Sequence, residues 1–264
     1  MKIGYLGPEG SYSSLACSMF KLQAEKIEYN NFHAIFEAVN QMQIDCAVVP
    51  VENSLQGSVT QCLDLFLKYK NLYITKSKII KIEHRLIMLE SAELCDIKEI
   101  YSHEQALKQC NEFLSKQFPN AVIRATDSTA AAISKIKTKN AAGIVGNHIK
   151  IPGLKFLNKT ISNQKNNQTV FMLIKKEQEN VPKISKRIYL AVGSENKPGS
   201  LLKILEIFYN AKINILKIES RPHEINGEYI FFMELDANIA ELRIQKILTL
   251  LQKKTTIYRF IGAY

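Results

Sequence analysis

The chain has no long apolar run. Its longest apolar stretch of note, residues 44–51 (IDCAVVPV), is interrupted by Asp45 and Pro50, whereas a membrane span needs about 20 apolar residues. No secretory leader is visible. The opening MKIGYLGPEGSYS carries one lysine, and Gly, Pro and Glu break any hydrophobic stretch. It reads as a strand entering a glycine-rich turn, so the mature chain is expected to begin at Met1. Paired cysteines are missing too: Cys17, Cys46, Cys62, Cys95 and Cys110 are scattered, odd in number and form no CxxC. That argues against a disulfide framework and against a zinc site, and predicts buried thiols in a reducing compartment. No Gly-Lys-Ser/Thr phosphate loop, dinucleotide fingerprint, HExxH or nucleophile elbow occurs. Kinase, dehydrogenase, metallohydrolase and serine hydrolase readings therefore lack support.

Acidic residues are outnumbered, 25 against 35 basic, which leaves a net charge of +10. Such a balance can signal nucleic acid or acidic membrane. Only six of the basic residues are arginine, and the lysines are spread singly or in pairs. A solvated basic surface is the simpler reading, one that also attracts anionic small molecules.

What is present is an alternation of strand and helix signals. Residues 2–6 form a short apolar run ending at Gly7-Pro8. Residues 13–23 have helical spacing. Residues 44–51, rich in β-branched side chains, predict a strand buried on both faces, as in a parallel sheet. A helical pattern follows at 59–69, two strand-like stretches at 72–89, an amphipathic helix at 104–117, and another at 128–137 opened by Ser128 as N-cap. Strands are expected at 141–145 and 169–175. This is an α/β pattern, in which ligands bind beyond the carboxyl ends of strands. Residues 175–186, polar and holding Pro182, make the best linker. Beyond it the order β (187–193), α (198–210), β (212–220), β (228–236), α (239–251), β (255–261) predicts a ferredoxin-like domain.

Four polar clusters stand out, three of them in loops that follow strands. GPEGSYS (7–13) offers glycines that let backbone approach an anion, the hydroxyls of Ser11 and Ser13, and a helix start with free N–H groups. It reads equally as a strand–helix turn with a serine cap. PVENSLQGSV (50–59) sets Glu52, Asn53 and Ser54 just past the buried strand, with Gly57 beyond; a cap built on Asn53-Ser54 is the plainer alternative. SHEQAL (102–107) sets His103 before a helix containing Gln105; a histidine there is a general base, an orienting donor or a structural residue. NNQTVF (166–171) brings Thr169 to the start of a strand. Its hydroxyl is a poor acid in water, and on physics alone it is a β-branched strand residue.

In this order the clusters resemble the prephenate dehydratase family along essentially the whole chain. GPEGSYS is similar to the family's Gly-Pro-x-Gly-Thr-Phe-Ser, PVENSLQGSV to Pro-x-Glu-Asn-Ser-x-x-Gly-x-Val, and SHEQALKQC to Ser-His-Pro-Gln-Ala-Leu-x-Gln-Cys. DSTAAA (127–132) resembles a further segment. The C-terminal part resembles an ACT domain, through NKPGSLLKIL (196–205) and the Glu-Ser-Arg-Pro element at 219–222. One departure stands out. Where the family strand carries Asn-x-Thr-Arg-Phe, this chain has valine at 170 in place of arginine, and Asn163 stands where the loop upstream carries an aspartate.

The resemblance implies a two-lobed catalytic domain like the periplasmic binding proteins over residues 1–176, with lobes of approximately 1–78 plus 158–176, and 79–157. A linker at 177–186 and a ferredoxin-like βαββαβ ACT domain at 187–264 follow. It implies a cytoplasmic enzyme that converts prephenate to phenylpyruvate, carbon dioxide and water without metal or cofactor. Thr169, Phe171 and His103 would be catalytic. Gly10, Ser11, Ser13, Glu52, Asn53, Ser54, Gly57, Gln105, Ser128 and Thr129 would bind substrate. Phenylalanine would be sensed at Asn196, Pro198, Gly199, Ser200, Leu201, Leu202, Glu219, Ser220, Arg221 and Pro222, between paired ACT domains of a homodimer or homotetramer. Neither nucleic acid nor membrane is an expected partner. Two readings compete: a prephenate decarboxylase-like or arogenate dehydratase enzyme on the same scaffold, and a non-catalytic phenylalanine-binding regulator whose site has decayed through Val170.

Overall fold

A computed structural model describes residues 1–149, 151–177, 183–223 and 228–264, with the backbone alone of residues 129 and 130. Pro182 of the expected linker and the Thr129 side chain lie outside the described residues.

The first stretch of chain alternates strands and helices: β1 (Lys2–Leu6), α1 (Tyr12–Met19), β2 (Glu25–Tyr29), α2 (Phe32–Asn40), β3 (Cys46–Asn53), the short β4 (Gly57–Ser58), α3 (Thr60–Lys68) and β5 (Leu72–Lys81). A second stretch holds β6 (His84–Leu89), β7 (Glu99–Ser102), α4 (Glu104–Gln109), α5 (Asn111–Gln117), β8 (Val122–Ala125), α6 (Thr129–Ser134), β9 (Ala141–Gly146) and β10 (Leu154–Phe156). The chain then returns through β11 (Gln168–Lys176) and ends with β12 (Arg187–Ser194), α7 (Ser200–Asn210), β13 (Asn214–Pro222), β14 (Tyr229–Asp236), α8 (Leu242–Lys254) and β15 (Ile257–Ala263).

Two sheets result. Strands β6 to β10 make one of order β10-β6-β9-β7-β8. The other runs β13-β14-β12-β15-β5-β11-β3-β1-β2, with β4 paired to β3. The chain's last six elements form the predicted βαββαβ unit, with strand order β13-β14-β12-β15, so the hairpin β13-β14 lies at the sheet edge and β12 is central. The expected α/β character is what the chain adopts.

The apolar run of β3 behaves as its composition predicts: Cys46 to Val49 are buried on both faces between β1 and β11. Pro50, inside a central strand, cannot donate to a ladder. It sits where the β3–β11 register shifts between Val170 and Phe171, and a bulge is where a central strand tolerates proline. The single helix expected over 104–117 is two helices. Cys110, with φ −121° and ψ 9°, breaks it, and its side chain is fully buried with Leu114 and Phe118.

One core joins the first sheet to the C-terminal unit. Phe36, Phe66 and Tyr69 from α2, α3 and the turn after it pack with Tyr189, Phe232 and Ile261 of β12, β14 and β15. Each such aromatic contributes about 1.5–3 kcal/mol on burial. At the seam, β15 and β5 approach so closely that a Cβ on Gly262 would lie 2.2 Å from the carbonyl oxygen of Ile74. Arg259, also buried, donates to the carbonyls of Phe66 and Leu72 and lies over the Tyr73 ring, with its guanidinium carbon 4.6 Å from the centroid.

Candidate active site

A cleft of about 390 Å³ opens between the two sheets. Its walls come from the turn after β1, the end of β3, the start of β11, the start of β6, helix α4 and the loops after β8 and β9.

Thr169 and Asn53 are opposite one another on β11 and β3, so their side chains share a face. Asn53 Nδ2 donates to Thr169 Oγ1 at 2.9 Å and to Asn167 Oδ1 at 2.8 Å. The amide is oriented from its other end, because Asn53 Oδ1 accepts from the backbone N–H groups of Leu55 and Gln56 at 3.0 and 3.2 Å. Thr169 and Asn53 are each 8% exposed and Asn167 1%. A threonine oxygen that accepts from an amide keeps its own proton to give. The incoming hydrogen bond also favours the oxygen once it is charged. In a site largely removed from water, that makes the hydroxyl a better donor than free threonine.

The network continues. Asn167 Nδ2 donates to Gln109 Oε1 at 3.3 Å, and His84 Nε2 meets the same oxygen at 2.9 Å. Both donors converge on one oxygen, so His84 carries its proton on Nε2. Burial holds the His84 imidazole below its ordinary pKa, and the nearby His148 lowers it further, against the raising effect of Gln109. His148 Nε2 lies 3.0 Å from the Gly10 carbonyl, which only accepts, so that ring too is protonated on Nε2. Burial lowers the His148 pKa as well. Tyr12 neighbours both rings, with centroids 6.2 Å from His84 and 4.7 Å from His148. Its hydroxyl is held by the backbone of Glu83, and burial pushes its pKa up to about 12.

Of the residues singled out in the sequence, Gly10, Ser11, Ser13, Asn53, His103, Gln105, Ser128 and Thr169 line the cleft together. Gly10 has φ +82°, a left-handed turn that glycine adopts without cost. Ser11 caps α1, accepting from Ser14 N–H at 3.2 Å and donating to the Leu6 carbonyl. Ser13 is buried. Ser128 caps α6 through Ala131 N–H. His103 is an exposed cap whose Nδ1 accepts from Gln105 N–H at 3.3 Å. Gln105 Nε2 reaches across the cleft to Gln56 Oε1 at 2.9 Å, joining its two walls.

Four residues fall elsewhere. Phe171 shares the face of Thr169 but lies two positions deeper and is packed in the core with Tyr5, Cys17 and Leu173, at 2% exposure. Ser54 is exposed and braces the start of β11, accepting from Gln168 N–H and donating to the Asn166 carbonyl. Gly57, at φ +77°, turns β3 into β4. Glu52 is on the far face of β3: alternation turns it away from the cleft, opposite Val170. There it is met by Lys217 of β13, Nζ to Oε2 2.8 Å.

The same alternation separates the C-terminal residues. Lys217, Glu219 and Arg221 point from β13 at the first sheet and its helices. Ser58 Oγ donates to Glu219 at 3.1 Å, and Arg221 makes a forked pair with Asp64 of α3 at 3.0 and 3.2 Å. Ser220 and Pro222 take the other face, and both are exposed. Gly199, φ +82°, opens α7 with no side-chain cap, so the first-turn N–H groups there are uncapped by side chains. Asn196, Pro198, Ser200, Leu201 and Leu202 belong to this same turn and helix start, at the sheet end where Ser194 and Pro222 both pair with Tyr229.

Sequence reasoning missed Tyr12, His84, Gln109, His148 and Asn167, which complete the walls or the network. The only signal was a histidine or amide at the edge of an apolar strand, which does not separate a site residue from a cap.

Residues 3–179 match the family model for prephenate dehydratase, and residues 188–252 that for the ACT domain. A bifunctional chorismate mutase/prephenate dehydratase of Buchnera aphidicola is 36% identical over 273 residues, covering 98% of this chain and 70% of its own length. A prephenate dehydratase of Methanocaldococcus jannaschii is 34% identical, covering 98% of this chain and 96% of the relative. Among solved structures, prephenate dehydratase from Arthrobacter aurescens in complex with L-Phe superposes with a TM-score of 0.87 at 29% identity, covering 100% of this chain and 90% of that one.

Proposed function

Because this chain belongs to the prephenate dehydratase family and carries an ACT domain, we propose that it converts prephenate to phenylpyruvate, carbon dioxide and water, under control by phenylalanine. The observation that carries this reading is the Asn53–Thr169 hydrogen bond at 2.9 Å on the cleft wall.

The ring carboxylate breaks its carbon–carbon bond and leaves as carbon dioxide. Its electron pair enters the ring and expels the ring hydroxyl. Thr169 gives its proton to that oxygen, so water departs instead of hydroxide, and solvent later reprotonates the threonine. Asn53 steadies the threonine oxygen while it bears charge. Aromatisation supplies the driving force, and the protein supplies orientation and polar preorganisation. The turn at Gly10, Ser11 and Ser13 and the start of α1 offer N–H and hydroxyl donors to the substrate's carboxylates. Gln105 and Gln56 bridge the cleft over it. His103, already engaged as a cap, acts in positioning.

The decisive assay incubates the chain with prephenate and reads phenylpyruvate by its strong absorbance in alkali. Phenylpyruvate formation supports the reading; a dihydroaromatic product would mean decarboxylation alone, and turnover only of arogenate would move the substrate. A chain that binds phenylalanine and turns over none of these would be a regulator. The Thr169–Asn53 pair favours the dehydratase, since decarboxylation alone needs no donor to a leaving hydroxyl.

For control, the uncapped α7 start at Gly199 suits the carboxylate of phenylalanine. Leu202, Leu216 and Ile218 are exposed apolar side chains on and beside the edge strand β13, which supports pairing of two such domains in a dimer or a dimer of dimers. The reducing cytoplasm suits its five free cysteines. Phenylalanine is expected to shift the midpoint of thermal unfolding upward and to change turnover. No effect on either would remove the sensing role.

A further inference from the structure

The described residues that line the cleft include no lysine and no arginine, and they include one carboxylate, Asp127. If the substrate is prephenate, two negative charges enter this cavity together. A low-dielectric cleft does not take up such a ligand without countercharge. The groups able to supply it at the wall are imidazoles: His84, His103 and His148. His103 is exposed, so water screens it. The other two are buried or half-buried.

Their geometry is alike. Each has its Nε2–H fixed on an oxygen, the Gln109 side chain for His84 and the Gly10 carbonyl for His148. Each has a buried Nδ1 without a hydrogen-bond partner among the described residues. Both rings are therefore held in one tautomer with a lone pair open for a second proton. The uncharged Tyr12 ring neighbours both, its centroid 4.7 Å from that of His148 and 6.2 Å from that of His84.

We propose that His84 and His148 form a proton-accepting pair that balances the charge of the bound dianion: neutral in the empty cleft, the pair takes up a proton as substrate enters. This rests on the activity proposed above and adds to it the group that recognises the second carboxylate.

The surroundings agree. His148 faces Tyr12 from α1, the uncharged Gly10 turn, and His84 from β6. His84 faces Gln109 from α4, Tyr12, and the uncharged loop at Thr160 and Ser162. The carboxylate nearest in sequence, Glu83, is neutralised by Lys81 at 2.5 Å and also accepts from Asn147 at 2.6 Å. Asp127 lines the cleft as well. Among the described residues that line the cleft, no lysine or arginine competes for the role. Burial disfavours a charge on either ring, and His148 disfavours one on His84 as well, before substrate arrives. Repulsion also limits the uptake to about one proton for the pair.

The sign follows from linkage. A ligand that binds the protonated pair raises its pKa, so affinity is greatest at low pH and falls as pH rises through the window between the free and bound values. The test measures KM and kcat for prephenate from about pH 6 to about pH 8.5, where both substrate carboxylates stay ionised. Wild type is expected to show KM climbing with pH, by up to about tenfold per unit inside the window. His148→Gln and His84→Gln keep a donor near the Nε2 position but cannot be protonated. Each is expected to raise KM at the acid end and flatten its pH profile, with kcat changed no more than a few-fold. The matching measurement is calorimetric binding of prephenate to the Thr169→Ala chain in buffers of different ionisation enthalpy, where proton uptake on binding is expected. A flat wild-type profile, a slope kept in the double variant, or binding with no proton uptake would overturn the pair. If the glutamine variants do not fold, the proton count decides alone. Failure of wild type to bind or turn over prephenate would sink the proposed activity first, and is told apart by that.

Discussion

Lys217 Nζ lies 2.8 Å from Glu52 Oε2, a pair that spans 165 positions of chain. Glu52 precedes Asn53, the partner of Thr169, on the same strand, and it faces Val170 across the ladder. The ACT-domain side chain thus meets β3 directly opposite position 170 of β11, where arginine stands in the family resemblance. A cation from β13, at the far edge of the same sheet, already serves Glu52.

Val170→Arg is therefore expected to give no gain in turnover, because the new guanidinium would face Glu52 and not the cleft. Lys217→Met should lower kcat/KM several-fold and cost about 1–3 kcal/mol, since Glu52 would keep a partly buried charge with no partner. Adding Val170→Arg to Lys217→Met should recover most of that loss. A large gain from Val170→Arg alone would show that position 170 reaches the substrate.

Thr169→Ala is expected to reduce kcat by about 10²–10⁴-fold, the usual share of a positioned proton donor. Asn53→Asp keeps the shape but replaces the Nδ2 donor with an acceptor, and should cost about 10²-fold or more. Thermal unfolding of Thr169→Ala should shift little, because Asn53 retains Asn167 and the Gln168 carbonyl as acceptors. Near-normal turnover in Thr169→Ala would take the threonine out of the chemistry.

Gly262→Ala tests how the C-terminal unit seats on the first sheet. The added methyl would meet the Ile74 backbone at 2.2 Å from oxygen and 2.7 Å from nitrogen, and neither can move without opening the seam. A loss of about 1–3 kcal/mol is expected. Protease cleavage between the two units should become faster. Unchanged unfolding and cleavage would mean the seam adjusts freely.

Stability should depend on pH through His84. Its folded-state pKa is lowered from 6.5, chiefly by burial. The unfolded chain therefore binds more protons in the window just below 6.5, and stability falls as pH drops through that window. The midpoint of thermal unfolding should decrease on going from neutral pH to about pH 5.5, and less so in His84→Gln. An equal decrease in both proteins would assign the effect to other groups.

Much of this architecture is legible locally. The β-branched run at 44–51 becomes the buried strand β3, and the βαββαβ order after the linker becomes the C-terminal unit. Ser128 caps its helix as the periodicity predicts. These succeed because a strand buried on both faces, a cap or an amphipathic helix is written within a few turns of chain. The break at Cys110 was not legible. Helical spacing continues through it, and what ends α4 is a tertiary pull of Cys110 into the core with Leu114 and Phe118.

The ordered polar clusters of the sequence sufficed to identify the family and to bring forward Thr169, Asn53 and the Gly10–Ser13 turn. Which of the remaining polar residues face the cleft was decided by pairing. Alternation along a strand says that Glu52 and Asn53 point to opposite faces, but only the β3–β11 register says which face meets Thr169. His84, Gln109 and Asn167 belong to three separate segments and become one network in the folded chain, while His148 reaches the Gly10 carbonyl from a fourth. Lys217 meets Glu52 for the same reason. Short-range periodicity encodes elements and their faces, while partners distant in sequence are chosen by how whole sheets dock, and that choice is made only in the folded chain.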